Sequence, residues 1–252
     1  MNFFSKLVLL TLIILTTSCN FTENITLNED GSGEFSVEID GSGLMAMAGD
    51  KIGEKMSQSK NAKSIDSTFS FKELFEQKKD SIAKLSQEEQ EALKKMENFV
   101  MHMKMNAEKK ELLISMNTPF QKVSELQDMM SSMKTMKDLK AKSSKKEIAS
   151  PIGDGLDNNA KLNFSYNGKS FTRTAVIDKE ALKNVKKDSL GMSKMMFASS
   201  KYTLKYHFHK PVKTVSNPDA MYSADRKTVT IQYPFSDYMD NPEKMNLTID
   251  FE

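Results

Sequence analysis

Apolar and polar residues alternate with period two over several short stretches, and each such stretch predicts a β-strand. Ile25 and Leu27 alternate with polar neighbours, and so do Phe35, Val37 and Ile39. Between them lies Asn28-Glu29-Asp30-Gly31-Ser32-Gly33, so Thr22 to Asp40 reads as a hairpin. Asp-Gly supplies the positive φ of a tight turn. A second hairpin is expected over Phe99 to Met116. There Phe99, Met101, Met103 and Met105 share one face, and a polar turn at Asn106 to Lys110 leads into Leu112, Ile114 and Met116. A third runs from Leu162 to Ile177 around Asn167-Gly168, a strong two-residue turn signal. Four further strands follow: Tyr202 to His209, Lys213 to Val215, Lys227 to Tyr233 and Leu247 to Phe251. Pro211, Pro218, Pro234 and Pro242 fall in the connections.

Helical spacing separates these stretches. Ser70 to Asn98 reads as mainly helical, with Ser70/Glu73 and Ser86/Glu89 placed as capping boxes and Leu74, Ile82, Leu85, Leu93 and Met96 lining an interior face. Thr118-Pro119-Phe120-Gln121 has the form of a helix start, with Thr118 as N-cap and Pro119 at the first helical position. Val123, Leu126, Met129, Met130, Met133 and Met136 continue it to about Leu139. Lys179 to Ser199 is a third helix candidate, interrupted by Gly191, and Gly41 to Lys63 is read as a short helix or a loop. Lys140 to Lys161 is polar and rich in Ser, Lys, Gly and Asn, and is read as an exposed loop and a sub-boundary at 140–161. The pattern predicts an α+β fold, with antiparallel β-hairpins forming a sheet and about three helices packed on one face. It does not suit a parallel βαβ arrangement.

The N-terminus follows another logic. Lys6 precedes Leu7 to Leu15, a nearly unbroken apolar run of nine residues. A spanning helix needs about 20 such residues, so this run matches the core of a signal peptide instead. Thr16, Thr17 and Ser18 lead to Cys19, the single cysteine of the chain. The segment Leu15-Thr-Thr-Ser-Cys19 resembles the lipobox of bacterial lipoproteins, with Thr16 where the usual pattern has Leu. That resemblance implies residues 1–18 as a lipoprotein signal peptide and Cys19 as the lipidation site. The cysteine would carry a diacylglyceryl thioether and, after cleavage before it, an acyl chain (palmitate) on its new amine. Two or three acyl chains hold a protein firmly, at about 0.8 kcal/mol per buried CH₂.

A wider resemblance rests on Leu27-Asn28-Glu29-Asp30-Gly31-Ser32-Gly33 and on Tyr202 to Pro242, which includes Tyr206-His-Phe-His-Lys-Pro-Val-Lys-Thr-Val-Ser-Asn217. Together they resemble an uncharacterised family of lipoproteins of the Bacteroidota. The family implies an envelope location and an α+β fold, and carries no catalytic residues. After the cysteine, Asn20 to Asn24 contains one acid, Glu23, a poor match to acid-rich surface-export signals. The expected location is therefore the outer membrane, facing the periplasm, with membrane lipid as the partner of Cys19.

Composition narrows the classes. The 36 basic and 34 acidic residues are interspersed, without the basic patch that nucleic-acid binding needs. A mean hydropathy of −0.50 and 28% charged residues indicate a soluble body. At about 230 residues, positions 19–252 suit one domain. With Cys19 lipidated no thiol is left, and no nucleophile, zincin or P-loop motif is present, so no catalytic residue, enzyme activity or cofactor is expected.

Met101, Met103, His207 and His209 are the candidate metal ligands, as soft thioethers and as two imidazoles expected on one strand face. Core packing explains the methionines equally, because Met fills irregular interiors and Phe99 shares their face. Aligning Gly31 with the invariant glycine of a calcium loop puts Thr26 and Val37 at its first and last ligand positions, and a hairpin turn explains the segment better. Asp80-Ser81-Ile82 and Asp188-Ser189-Leu190 resemble the D-S-x acceptor of O-glycosylation in Bacteroidota. Two roles stay open for the body. One is a structural or protein-interaction module with an envelope protein as partner; the other is a carrier of an apolar ligand, lipid or peptide.

Overall fold

In a computed structural model of the chain, residues 18–48, 64–127, 160–177 and 197–252 are described. Their strands are β1 (Asn20–Leu27), β2 (Gly33–Asp40), β3 (Ser64–Ser70), β4 (Val100–Asn106), β5 (Glu111–Phe120), β6 (Ala160–Tyr166), β7 (Ser170–Ile177), β8 (Lys201–Phe208), β9 (Val212–Val215), β10 (Met221–Tyr222), β11 (Thr228–Pro234) and β12 (Leu247–Phe251). The helices are α1 (Ser42–Ala48), α2 (Phe71–Gln77), α3 (Lys79–Ile82), α4 (Gln87–Lys95) and α5 (Phe235–Asp240), with a 3₁₀ turn at Pro242–Met245. The mixed α+β class stands, with strand dominating.

The strands form two sheets. One has eight strands in the order β10-β11-β8-β1-β2-β5-β4-β3, the other four in the order β6-β7-β12-β9. All pairings are antiparallel except that of β1 with β8, which run parallel from Asn20↔Lys201 to Leu27↔Phe208. This corrects the expectation of a purely antiparallel sheet. Parallel neighbours need a long crossover, and here β1 has its hairpin partner β2 on one side and β8, from the far end of the chain, on the other.

The inner faces follow from the alternation. Phe21, Glu23, Ile25 and Leu27 of β1, Tyr202, Leu204, Tyr206 and Phe208 of β8, and Val229, Ile231 and Tyr233 of β11 are buried. Opposite them lie Phe171, Arg173 and Ala175 of β7 and Leu247, Ile249 and Phe251 of β12. The sheets meet through aromatic rings: Phe171 against Tyr206 at 5.5 Å, and Phe208 against Phe171 at 5.6 Å and against Phe251 at 4.9 Å. Each such side chain is worth about 1.5–3 kcal/mol on burial. A second sheet, rather than three helices, therefore covers the inner face around β1, β8 and β11. The expectation of helices on one face is corrected accordingly.

The helical segment after Ser70 breaks into α2, α3 and α4. Ser70 Oγ accepts from the Glu73 N–H at 3.5 Å, and Ser86 and Glu89 form the full reciprocal box. Phe71, Leu93, Met96 and Phe99 supply its buried residues. Thr118, Pro119 and Phe120 do not start a helix; they end β5, opposite Phe35, Glu34 and Gly33. The β4 pairing stops at Val100↔Asn117, so at Pro119 the strand has a neighbour on one side only and a missing N–H is tolerated. Thr118 is fully buried and its hydroxyl donates to the Pro119 carbonyl at 3.3 Å. The expected helix beyond Leu126, the loop at 140–161 and the helix at 179–199 lie almost wholly outside the described residues.

Candidate functional site

Cys19 immediately precedes β1. Its side chain is buried, 3% exposed, and its carbonyl accepts the N–H of Lys201 at 3.4 Å. From Asn20 onward the backbone is paired on both sides, with Asp40 of β2 and Lys201 of β8. No flexible residue separates the cysteine from an inner strand of the larger sheet. The Phe21 ring stacks on Phe235 at 4.3 Å and meets Phe197 edge-on at 5.7 Å, which fixes the start of the strand.

Gly43 of α1 closes the same end. A Cβ placed there would stand 2.7–2.8 Å from the backbone N, C and O of Ser18. The first turn of α1 is held by Gly41, whose N–H donates to the Leu112 carbonyl at 2.8 Å, and by Ser42, whose Oγ accepts the Leu112 N–H at 3.2 Å.

A second constellation, unexpected from the sequence, lies between the sheets. Glu23 and Arg173 are 0% and 1% exposed. Arg173 Nε donates to Glu23 Oε1 at 3.2 Å and Nη2 to Oε2 at 3.3 Å, while Nη1 donates to the Met245 carbonyl at 3.2 Å. Tyr202 donates to Oε2 at 2.9 Å and Tyr206 to Oε1 at 2.5 Å. Phe21↔Tyr202, Glu23↔Leu204 and Ile25↔Tyr206 are facing pairs, so the tyrosines flank the carboxylate along the parallel neighbour. Burial, and then the Glu23 carboxylate, push both phenols well above their ordinary range. Burial works against the charged guanidinium, but Glu23 and the tyrosines outweigh it and hold Arg173 above its usual value. Every polar group of the cluster is engaged by another member or by a backbone carbonyl, so its chemistry is spent on holding the sheets together. The signal was present: Glu23 sits on an apolar stripe between Phe21 and Ile25, and Arg173 on another between Phe171 and Ala175.

The candidate ligand residues are not gathered at one point. Met101 packs against the core and Met103 is half-buried. His102, on the other face of β4, lies 2.8 Å from Asp66 Oδ1. His207 is exposed beside Thr228 Oγ1 at 3.0 Å. His209 falls past the end of β8 and turns inward, its ring 6.2 Å from Tyr166 and 6.3 Å from Phe251. The expectation that the two imidazoles share a face is corrected: leaving the strand breaks the alternation. Among the described residues no three His, Cys, Asp or Glu side chains converge as for a metal. In the β1–β2 turn, Asp30 Oδ1 accepts from Ser32 N–H at 3.0 Å and Oγ at 2.6 Å, which draws its carboxyl below the usual range.

An open groove of about 330 Å³ lies on the outer face of the larger sheet near Cys19, with Asn20, Glu38, Asp40, His102, Lys104 and Leu113 in its lining. Polar and apolar side chains share its walls, Ile39 and Ile114 among the latter. The buried methionines among the described residues are Met45, Met96, Met105 and Met245, set within an aromatic core. No described helix is long and apolar enough to cross a membrane.

The sequence matches no family model and no curated protein. Among solved structures, the NMR structure of the folded domain of LppM from Mycobacterium tuberculosis is similar at a TM-score of 0.39 and 8% identity, over 93% of this chain and 89% of that one.

Proposed function

We propose that the chain is an envelope lipoprotein, anchored through lipid on Cys19, whose body has a non-catalytic structural or protein-interaction role at the membrane surface. The observation that carries the reading is the leader, Lys6 and the apolar run to Leu15, ending in small residues and the single cysteine one residue before the folded body begins. Gly43 supports it. An acyl carbonyl on the amine of Cys19 would stand where the Ser18 carbonyl stands, against a residue with no side chain. The outer membrane, periplasmic side, is the proposed location, because the residues after Cys19 lack an acidic run.

A non-catalytic role is favoured because Glu23, Arg173, Tyr202 and Tyr206, buried between the sheets, satisfy one another. The ring-packed aromatic core of the described residues and the exposed Phe69 and Leu74 favour an interaction module over a carrier. Cell fractionation tests the anchor: a Cys19→Ala protein is expected to leave the membrane fraction, and its retention there would overturn the reading. Affinity isolation of the tagged lipoprotein from native membranes, with mass spectrometry of co-purifying proteins and lipids, tests the role. A reproducible envelope protein supports it; a stoichiometric lipid beyond the anchor would favour the carrier.

A further inference from the structure

We propose that the tip of the β4–β5 hairpin is a second foot of the body on the membrane, with Lys109 and Lys110 set against the phosphates of anionic lipid headgroups. The inference rests on the lipidation of Cys19 proposed above and extends it from an anchor to an orientation.

Cys19 directly precedes β1, with no tether between them. Lipoproteins with a flexible linker leave their bodies free to turn, whereas here Asn20 is already paired on both sides. The end of the sheets that carries Cys19 must then lie at the bilayer surface. Cross-strand rows show what else is at that end. One row runs Lys201, Asn20, Asp40, Leu113, Lys104 and Asp66 across five strand boundaries. The row through Leu112↔Met105 is level with Cys19, and Glu111↔Asn106 lies one row beyond it. The turn 107–110 extends past that, so the hairpin tip stands further out than the cysteine along the strand direction. Sheet twist of about 20–25° per strand swings the tip sideways but leaves it at the same end.

The tip is polar and solvent-facing: Glu108, Lys109 and Lys110 are exposed. Lys104, behind it, is taken up by Glu111 at 3.1 Å. Lys201, exposed on the same end, adds a further positive charge beside the anchor. A lysine near an anionic surface strengthens attraction about fivefold, with Glu108 offsetting part of the total. The opposite end carries the turn at Asn167 and Gly168, close to the β1–β2 turn through the contact of Gly31 with Tyr166. It stands the length of β1 away, about 25 Å.

Depth measurement tests this. With Cys19 lipidated, an introduced cysteine is the one reactive thiol. Ala107→Cys and, at the far end, Lys169→Cys are each labelled with a small fluorophore in full-length protein purified from membranes. Each protein is placed in vesicles of phosphatidylethanolamine and phosphatidylglycerol that contain headgroup-nitroxide lipid. Intact mass first establishes the acyl chains. The expected result is at least threefold stronger quenching at 107 than at 169. That excess should fall by half or more with Lys109→Glu and Lys110→Glu, and again in neutral phosphatidylcholine vesicles. Equal quenching at the two positions, or tip quenching indifferent to charge reversal, overturns the proposal while the acylated mass leaves the anchor standing. An unmodified mass overturns the anchor and this proposal with it.

Discussion

Glu23 and Arg173 stand on facing sheets, 150 residues apart in sequence, and meet as a two-bond ion pair at 3.2 and 3.3 Å with no access to water. Taking two charges out of water costs several kcal/mol per ion, and mutual attraction offsets that only when the remaining lone pairs and protons are satisfied. Here Tyr202, Tyr206 and the Met245 carbonyl satisfy them. The pair also fixes register: sliding β7 by one residue would put Arg173 outside and leave Glu23 alone in the core.

Removing one partner should therefore cost more than removing both charges. Arg173→Met leaves a buried carboxylate with only two phenols and is expected to lose about 3–5 kcal/mol in urea unfolding. Adding Glu23→Gln, which keeps an acceptor for the tyrosines, should recover part of that loss. Equal stability of the single variant and the native protein would mean the pair is not buried.

The tyrosines predict an alkaline limit. A phenol whose pKa is raised on folding contributes stability that is whole below the unfolded value, near 10, and is lost as pH climbs above it. Burial and Glu23 raise both Tyr202 and Tyr206 in this way. In a titration followed at the phenolate absorbance, these two should ionise only as the protein unfolds, cooperatively and above pH 10. A Tyr206→Phe variant should lose one of the late-titrating groups.

These buried groups mark where sequence reasoning stopped. The β1–β2, β4–β5 and β6–β7 hairpins were legible because alternation and turn residues are local signals, and Ser86 with Glu89 formed the box its spacing predicts. What pairs Asn20 with Lys201, or Glu23 with Arg173, is decided by packing between segments some 150 to 180 residues apart, which no local period records. Thr118-Pro119 misled for the same reason: its helix-start form was overridden by eight residues of pairing between β2 and β5. Of the candidate site, the leader singled out Cys19 as a residue to examine; the approach of Gly43 to the Ser18 backbone, set by the fold of α1 against the start of β1, had no local signal.

His209 predicts an acid response. Both ring nitrogens are buried without a hydrogen-bond partner, and burial, followed by Lys210, lowers its pKa. A lowered histidine binds fewer protons folded than unfolded, so stability falls as pH drops through about 6.5. Melting temperature should decline between pH 7.5 and 5.5, and His209→Phe should flatten that part of the curve. An unchanged slope would place the acid response elsewhere.

Two glycines should respond differently to alanine. At Gly33 a Cβ would stand 1.9 Å from the Thr26 carbonyl oxygen and 2.6 Å from Phe120 Cζ, so Gly33→Ala must disturb the β1–β2 hairpin itself and is expected to prevent stable folding. Gly168 has φ +81° and open space around it, so Gly168→Ala meets only backbone strain, about 1 kcal/mol. Thermal melts of the two variants should separate widely, and similar melts would contradict the close approach at Gly33.

The anchor remains the centre of the account, and the intact mass of the protein extracted from its own membranes tests it most directly. The expected mass is that of the chain beginning at Cys19, with a diacylglyceryl group on its sulfur and an acyl group on its amine. A chain that begins at any other residue, or that retains a free Cys19 thiol, would contradict it.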